Sequence, residues 1–155
     1  MASESNILVV DDDDIILLAI KETLKPLGYH VDGFLEPTEA RRSVDQKNYA
    51  IVISDQRMNA LSGIEFLEYC KQKQPEAVRI LITGVHSVEI LTRAINECEV
   101  FRFVSKPWVR DEFTKIVASA WERHCFLMKC KEIYQTQAQE ISDLKQKLHD
   151  QPSSP

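Results

Sequence analysis

The chain has 155 residues, 44% of them hydrophobic and 28% charged, with a formal net charge of −5. That suits one ordinary folded domain with room for little more, and no stretch concentrates Lys and Arg into a basic surface, which argues against a nucleic-acid partner. The longest apolar runs are five to six residues, far short of a membrane span. The Met-Ala-Ser-Glu-Ser-Asn start lacks the basic and apolar stretches of a signal peptide, so the expectation is a cytoplasmic protein with no membrane contact.

Apolar strands alternate with amphipathic helices along the chain. The first strand, Asn6 to Val10, leads directly into four carboxylates, Asp11 to Asp14; its β-branched run reads as buried. A helix follows through Ile16, Leu17, Ile20 and Leu24 and closes near Leu27-Gly28, with Gly28 as its C-cap,. A weaker second strand covers Tyr29 to Phe34, and Pro37 opens a second helix that reaches about Gln46,. Tyr49 to Ser54 is a strongly apolar third strand that ends at Asp55. The third helix starts near Ser62, with Glu65 at capping-box spacing, and stops before Pro75,. Val78 to Ile82 is a fourth strand ending at Thr83-Gly84, followed by a helix from Ser87 to Asn96. A fifth strand, Val100 to Val104, ends at Ser105-Lys106-Pro107, and the last helix runs from near Arg110 to about Asp150. Cys70, Cys98, Cys125 and Cys130 show no Cys-x-x-Cys pairing and no histidines at metal spacing, so they read as reduced, structural thiols,.

Five strand-helix units with strands apolar on both faces predict a parallel sheet covered by helices on each side. In such folds the carboxyl ends of all strands open on one edge, where ligands bind. Asp11-Asp12, Asp55, Thr83 and Lys106 then converge on one pocket. Carboxylates at about 4 Å repel by roughly 4 kcal/mol per pair at an effective dielectric near 20, so the cluster needs a cation, solvation or protonation to relieve it. Asp13 and Asp14 read as the solvated start of the first helix.

The segments Ile7-Leu8-Val9-Val10-Asp11-Asp12, Ser54-Asp55-Gln56-Arg57-Met58, Thr83-Gly84 and Lys106-Pro107 carry a resemblance to the CheY-like receiver domain of two-component response regulators, in family order and at family-like spacing. The resemblance covers roughly residues 5 to 122. It implies a flavodoxin-like (βα)5 doubly wound parallel sheet with strand order 2-1-3-4-5, and an aspartate phosphorylated by a sensor histidine kinase or phosphotransfer protein. Transferred residue by residue, it implies that Asp55 is the phosphoacceptor and that Asp11, Asp12, Asp55 and the backbone carbonyl of Arg57 hold magnesium, or manganese in its place. Thr83 and Lys106 would contact the phosphoryl group, with Thr83 and Phe103 as the switch pair. Phe103 lacks the hydroxyl of the tyrosine found in many relatives.

Elementary chemistry supports those roles. A carboxylate is a poor nucleophile towards an anionic phosphoryl group unless a hard cation with oxygen ligands bridges them. Lys106 brings a point charge on a flexible stem, and Thr83 a hydroxyl donor. Many receivers continue after the methionine with a proline and a later Asp-Gly. Here the loop reads Asn59-Ala60-Leu61-Ser62-Gly63, which keeps the start of the third helix and changes loop stiffness. Gln56, Arg57 and Val85 flank the pocket.

Helical apolar spacing persists beyond the receiver through Leu127, Cys130, Tyr134, Ile141, Leu144 and Leu148, at heptad a and d positions with Gln137 as a polar break,. Lys131, Glu132, Glu140, Lys145 and Lys147 lie on flanking faces. A continuous helix from Asp111 to His149 extends roughly 58 Å at 1.5 Å per residue, too far to bury its stripe on a small domain. The reading is a receiver over residues 5–124, a helical extension over 125–150 that pairs as a parallel coiled coil in a homodimer, and a flexible tail over 151–155. The Phe101–Trp108 stretch and the extended helix resemble receivers placed upstream of cyclic-dinucleotide signalling domains. The expected protein is thus a signalling switch and not an enzyme. Two other classes compete with it. A phosphohydrolase of the haloacid dehalogenase type would use Asp11 and Asp13, yet leaves Asp55 without a role and finds no acidic pair after Lys106. A phosphorylation-independent dimerisation adaptor would need the Asp55 set to be broken.

Overall fold

Three strands, β1 (Asn6–Val10), β3 (Ile51–Asp55) and β4 (Val78–Thr83), are buried at every residue, whereas β2 (His30–Phe34) and β5 (Arg102–Ser105) are partly exposed. That contrast is the signature of a sheet with three central and two edge strands. All pairings are parallel and the order is β2-β1-β3-β4-β5, the flavodoxin-like arrangement expected. The computed structural model describes residues 6–84 and 86–152, which leaves Val85 and residues 153–155 of the tail outside the described residues.

The helices are α1 (Asp14–Leu24), followed by a 3-10 turn Lys25–Leu27, α2 (Pro37–Gln46), α3 (Gly63–Lys73), α4 (Val88–Cys98) and α5 (Arg110–His149). Strand side chains alternate between faces. Leu8, Val10, Val52 and Leu81 share one core cluster with Ala40 and Val44 of α2, Phe66, Leu67 and Cys70 of α3, and Ala94 and Cys98 of α4. The alternate residues Ile7, Val9, Ile51, Ile53 and Ile80 are buried on the other face. There α1 contributes Leu17, Ile20 and Leu24, and α5 contributes Phe113, Val117 and Ala120 at three- and four-residue spacing,.

Several element ends differ from the sequence-based expectation for physical reasons. Val100 donates its N–H to the Ala94 carbonyl and so completes the end of α4, which runs on to Cys98 before Glu99 turns it off in the left-handed region at φ 50°. The fifth strand therefore begins at Arg102, opposite Ile80. Tyr49 and Ala50 are buried but precede the β1–β3 register, which starts at Ile7 opposite Ile51. The Tyr49 hydroxyl instead bonds Asp32 of β2 at 2.8 Å and Ser43 of α2 at 2.5 Å. Gly28, at φ 89°, closes the turn after α1 in a conformation that disfavours any side chain,.

The chain divides into two compact units at His124/Cys125. From Cys125 on, every described residue is exposed except Leu127, which is half-buried. Only two of the four cysteines are therefore structural thiols. Burial pushes Cys70 up to about 12 and Cys98 up to about 11, whereas Cys125 and Cys130 are exposed.

Candidate functional site

In the order 2-1-3-4-5 the chain reverses direction between β1 and β3, and a crevice opens at the carboxyl ends of those two strands. Asp11 follows β1 directly and Asp55 is the last residue of β3. One carboxylate oxygen each from Asp11, Asp12 and Asp55 lies within 4.8 Å of the others. Asp11 is 1% exposed and Asp55 7%, while Asp12 is exposed. The first three residues of the acidic run behave differently. Asp11 Oδ1 accepts the Asp13 N–H at 2.9 Å, and Asp13 caps α1 by accepting the Ile15 N–H, also at 2.9 Å,. Asp13 is thereby committed to the helix end, and only Asp11 and Asp12 remain for the crevice.

Lys106 reaches this cluster from the end of β5. Its Nζ lies 2.7 Å from Asp11 Oδ2 and 3.2 Å from Asp55 Oδ1. Burial works against the Lys106 ammonium, but the two carboxylates outweigh it and raise its pKa. Asp55 shifts the other way from a usual paired carboxylate. Burial and the nearby Asp11 charge push its pKa up, against the opposing pull of Lys106 and of the Gln56 N–H, which bonds Oδ1 at 2.9 Å,. Asp55 is therefore an anion held at some energetic disadvantage, which further positive charge would relieve.

The loop after Asp55 is anchored at both ends by Gln56. Its N–H also lies 3.2 Å from the Ile82 carbonyl, its carbonyl accepts from Gly63, and its Oε1 accepts the Ile64 N–H at 3.1 Å. Gly63 matters for a reason that sequence alone does not reveal. A Cβ there would overlap the Asp55 carbonyl oxygen and stand 2.9 Å from Gln56 Cα, so the first turn of α3 rests directly on the backbone of Asp55. Ser62 and Glu65 form the expected capping box. Between them and Asp55 the exposed Arg57 and the left-handed Ala60, at φ 69°, carry the chain outwards. Asp12, Gln56, Arg57, Met58, Asn59, Ser62 and Ile90 line an open depression of about 460 Å³ beside the carboxylates.

Thr83 is 1% exposed at the end of β4 and pairs with Ser105. Its carbonyl accepts the Lys106 N–H at 3.1 Å, across from the cis peptide of Lys106-Pro107. Phe103 is half-buried, pairs with Leu81 and packs on the core cluster. Thr83 and Phe103 thus sit on neighbouring strands two residues apart in register. One contact had no sequence signal. His86 Nε2 lies 3.2 Å from Ser105 Oγ and links the loop after β4 to the end of β5.

Residues 7–118 match the family of the response regulator receiver domain. The chain belongs to that family. Receiver domains of two-component regulators take phosphoryl groups from histidine kinases and act as signalling switches rather than catalytic enzymes, generally with magnesium at an acidic pocket. The receiver is 33% identical over 119 residues to the hydrogenase transcriptional regulatory protein HoxA of Cupriavidus necator, covering 77% of this chain and 24% of that protein. It is 29% identical over 102 residues to a cyclic di-GMP phosphodiesterase of Thermotoga maritima, covering 65% of this chain and 27% of that one. Among solved structures, the signal receiver domain of an HD domain-containing protein from Pseudomonas fluorescens Pf-5 superposes with a TM-score of 0.76 at 30% identity, over 79% of this chain and 98% of that one. The chain spans about a quarter of the length of HoxA and of the phosphodiesterase. Among the described residues, no helix is long and apolar enough to cross a membrane.

Proposed function

We propose that Asp55 accepts a phosphoryl group from a sensor histidine kinase or phosphotransfer protein, with Asp11, Asp12 and the Arg57 carbonyl holding magnesium, or manganese, beside it. The observation that carries this reading is the convergence of three carboxylates within 4.8 Å on a lysine that already bonds two of them. The donor set fits a hard divalent cation. It is all oxygen, its three carboxylates exceed the one lysine by two charges, and its Asp12 member is exposed and able to keep water in the coordination sphere,. Bound there, the cation supplies neutralisation between the carboxylate and the incoming phosphoryl group.

The chain's own residues do the rest. An Asp55 carboxylate oxygen forms the new P–O bond as the P–N bond to the donor imidazole breaks, and the imidazole takes up a proton. Gln56 N–H holds the Asp55 carboxylate in place, and the depression lined by Asp12, Arg57 and Met58 admits the donor. Lys106 transfers its contact from Asp55 to a phosphoryl oxygen. Thr83 turns its hydroxyl towards another, and Phe103 moves into the space that Thr83 vacates. Shifting such a two-state equilibrium from 1:99 to 99:1 takes about 5.5 kcal/mol of differential interaction.

Downstream, the switch acts through the helix beyond His124, which pairs with a second copy and controls an output domain or partner. A cyclic-dinucleotide module is one such output, supported by the likeness to the Thermotoga maritima phosphodiesterase. Work in the cytoplasm accords with four free cysteines,.

Incubation with a small acyl phosphate and magnesium, followed by intact mass, tests the reading. The parent chain gains one phosphoryl group and Asp55→Asn gains none. Undiminished labelling of Asp55→Asn overturns it, and a label on Asp11 or Asp13 would instead favour phosphohydrolase chemistry.

A further inference from the structure

The exposed helix beyond His124 carries a side-chain pattern that specifies how two copies would meet. With Leu127 as an a position, Tyr134, Ile141 and Leu148 are a and Cys130, Gln137 and Leu144 are d. Tyr134 is 74% exposed, Ile141 54%, Leu144 59% and Leu148 69%, so an apolar seam with Gln137 as its polar break faces solvent. The helix's own polar side-chain bonds lie on the opposite face. Thr136 bonds the Glu132 carbonyl, Gln139 bonds Asp143 and Gln146 bonds Asp150, and every one of these residues is at c or f. Glu140 and Lys145, at g and e, form no ion pair among the described residues.

We infer that residues 127–148 pair with a second copy as a parallel, in-register coiled coil in which Cys130 faces Cys130 of the partner subunit. The inference rests on the parallel dimeric reading above and adds its register. Charge decides the direction. In a parallel in-register pair, each g residue meets the e residue five positions on in the other chain, so Glu140 meets the partner's Lys145, and the reciprocal contact forms by symmetry. The remaining g residues repel nothing. Phe126 meets the aliphatic stem of Lys131 and Ile133 meets Ala138, while the position facing Lys147 lies beyond the helix end at His149,. An antiparallel pair sets g against g and e against e. Its g residues are Phe126, Ile133, Glu140 and Lys147, and at near-full overlap Glu140 meets Ile133 or a second Glu140 and no lysine. Its e residues are Lys131, Ala138 and Lys145, which offer only lysine–lysine or lysine–alanine contacts. Gln137 adds a register device, because a polar d residue is satisfied by its own counterpart at the same layer and is stranded by a slip of one heptad against Cys130 or Leu144,.

Cysteines make the register readable. Cys130 is at d, inside the seam, whereas Cys125 is at f, on the outer face, and the remaining cysteines are buried in the receiver core. A short bismaleimide adds one thiol across each alkene, with no oxidant required. The full-length chain is measured for mass in solution and then treated with the reagent. The expected result is a dimer that is cross-linked in the parent and in Cys125→Ser, and not cross-linked in Cys130→Ser. Glu140→Lys is expected to raise the dimer dissociation constant about tenfold, and Glu140→Lys with Lys145→Glu to restore it. A dimer without the Cys130 cross-link, or with one through Cys125, overturns the register and leaves dimerisation intact. A monomer at all concentrations overturns both. Asp55 labelling is read separately in every variant and is unaffected by any of these outcomes.

Discussion

Lys106 Nζ and Asp11 Oδ2 stand 2.7 Å apart although 95 residues separate them in the chain. That contact places one positive charge against a group of three carboxylates, so the pocket is under-neutralised by construction. A partly buried carboxylate cluster of this kind stores repulsion of order several kcal/mol at an effective dielectric near 20; burial first, and the Asp11 charge second, raise the Asp55 pKa.

Replacing Asp55 with Asn should therefore stabilise the cation-free protein at neutral pH. A carboxylate whose pKa is raised on folding binds protons more readily in the native state, so native stability falls as pH rises from the unfolded value of 3.8 through the raised folded value and then levels off,. The advantage of Asp55→Asn is largest above that window and shrinks as pH falls through it. An increase of about 1 kcal/mol, or roughly 3 °C in Tm, is the expected size at pH 7. Thermal melts of both proteins in a chelator from pH 3.5 to 8 measure it. A substituted protein that is less stable throughout would contradict the under-neutralised pocket.

Magnesium should stabilise the parent by mass action, by about 2.7 kcal/mol at a hundredfold excess over Kd. Asp12 offers a clean control because it is exposed and has no part in the core. Asp12→Ala is expected to melt within about 0.5 kcal/mol of the parent in chelator and to lose most of the magnesium-dependent shift. Equal shifts in the two proteins would remove Asp12 from the ligand set.

Gly63→Ala tests the seat of α3 on the Asp55 backbone. The added methyl meets main-chain atoms that have no rotamer to escape into, so a loss of about 2 kcal/mol is expected, together with slower labelling by an acyl phosphate. Denaturation and labelling rates at matched folded fraction separate the two effects. Unchanged stability would mean the loop yields easily.

Ala60→Gly should act in the opposite sense. Ala60 holds a left-handed φ of 69°, which costs a non-glycine residue about 1 kcal/mol. Relief of that strain, less the added freedom of the unfolded chain, leaves a gain of a few tenths of a kcal/mol, measurable as a shift in the denaturant midpoint. A loss of 1 kcal/mol or more would show that the loop conformation depends on the Ala60 methyl.

The acidic run, Asp55, Thr83 and Lys106 were legible in the sequence because each follows an apolar run, and a parallel sheet delivers the ends of such runs to one edge. Strand periodicity is a local signal, and the edge is its direct consequence. Gly63 and Gln56 were not legible in the same way. A glycine in a Ser-Gly pair reads as a turn residue, and only the packing of α3 on β3 reveals that the missing Cβ is what lets the helix approach Asp55. The His86–Ser105 contact depends on where the loop after β4 folds back, which no periodicity encodes. Val100 misled because its apolar side chain suits a strand, while its backbone N–H is taken by the end of α4.

In the proposed reaction the reactive oxygen belongs to Asp55, two strands along the chain from the acidic run that would serve it. The most direct measurement is reduction of the acyl-phosphate-treated protein with borohydride, which converts an aspartyl phosphate to homoserine, followed by peptide sequencing in a mass spectrometer. Homoserine is expected at position 55 alone, dependent on magnesium. Homoserine at Asp11, Asp12 or Asp13, or none at any position in a protein that has gained phosphoryl mass, would contradict it.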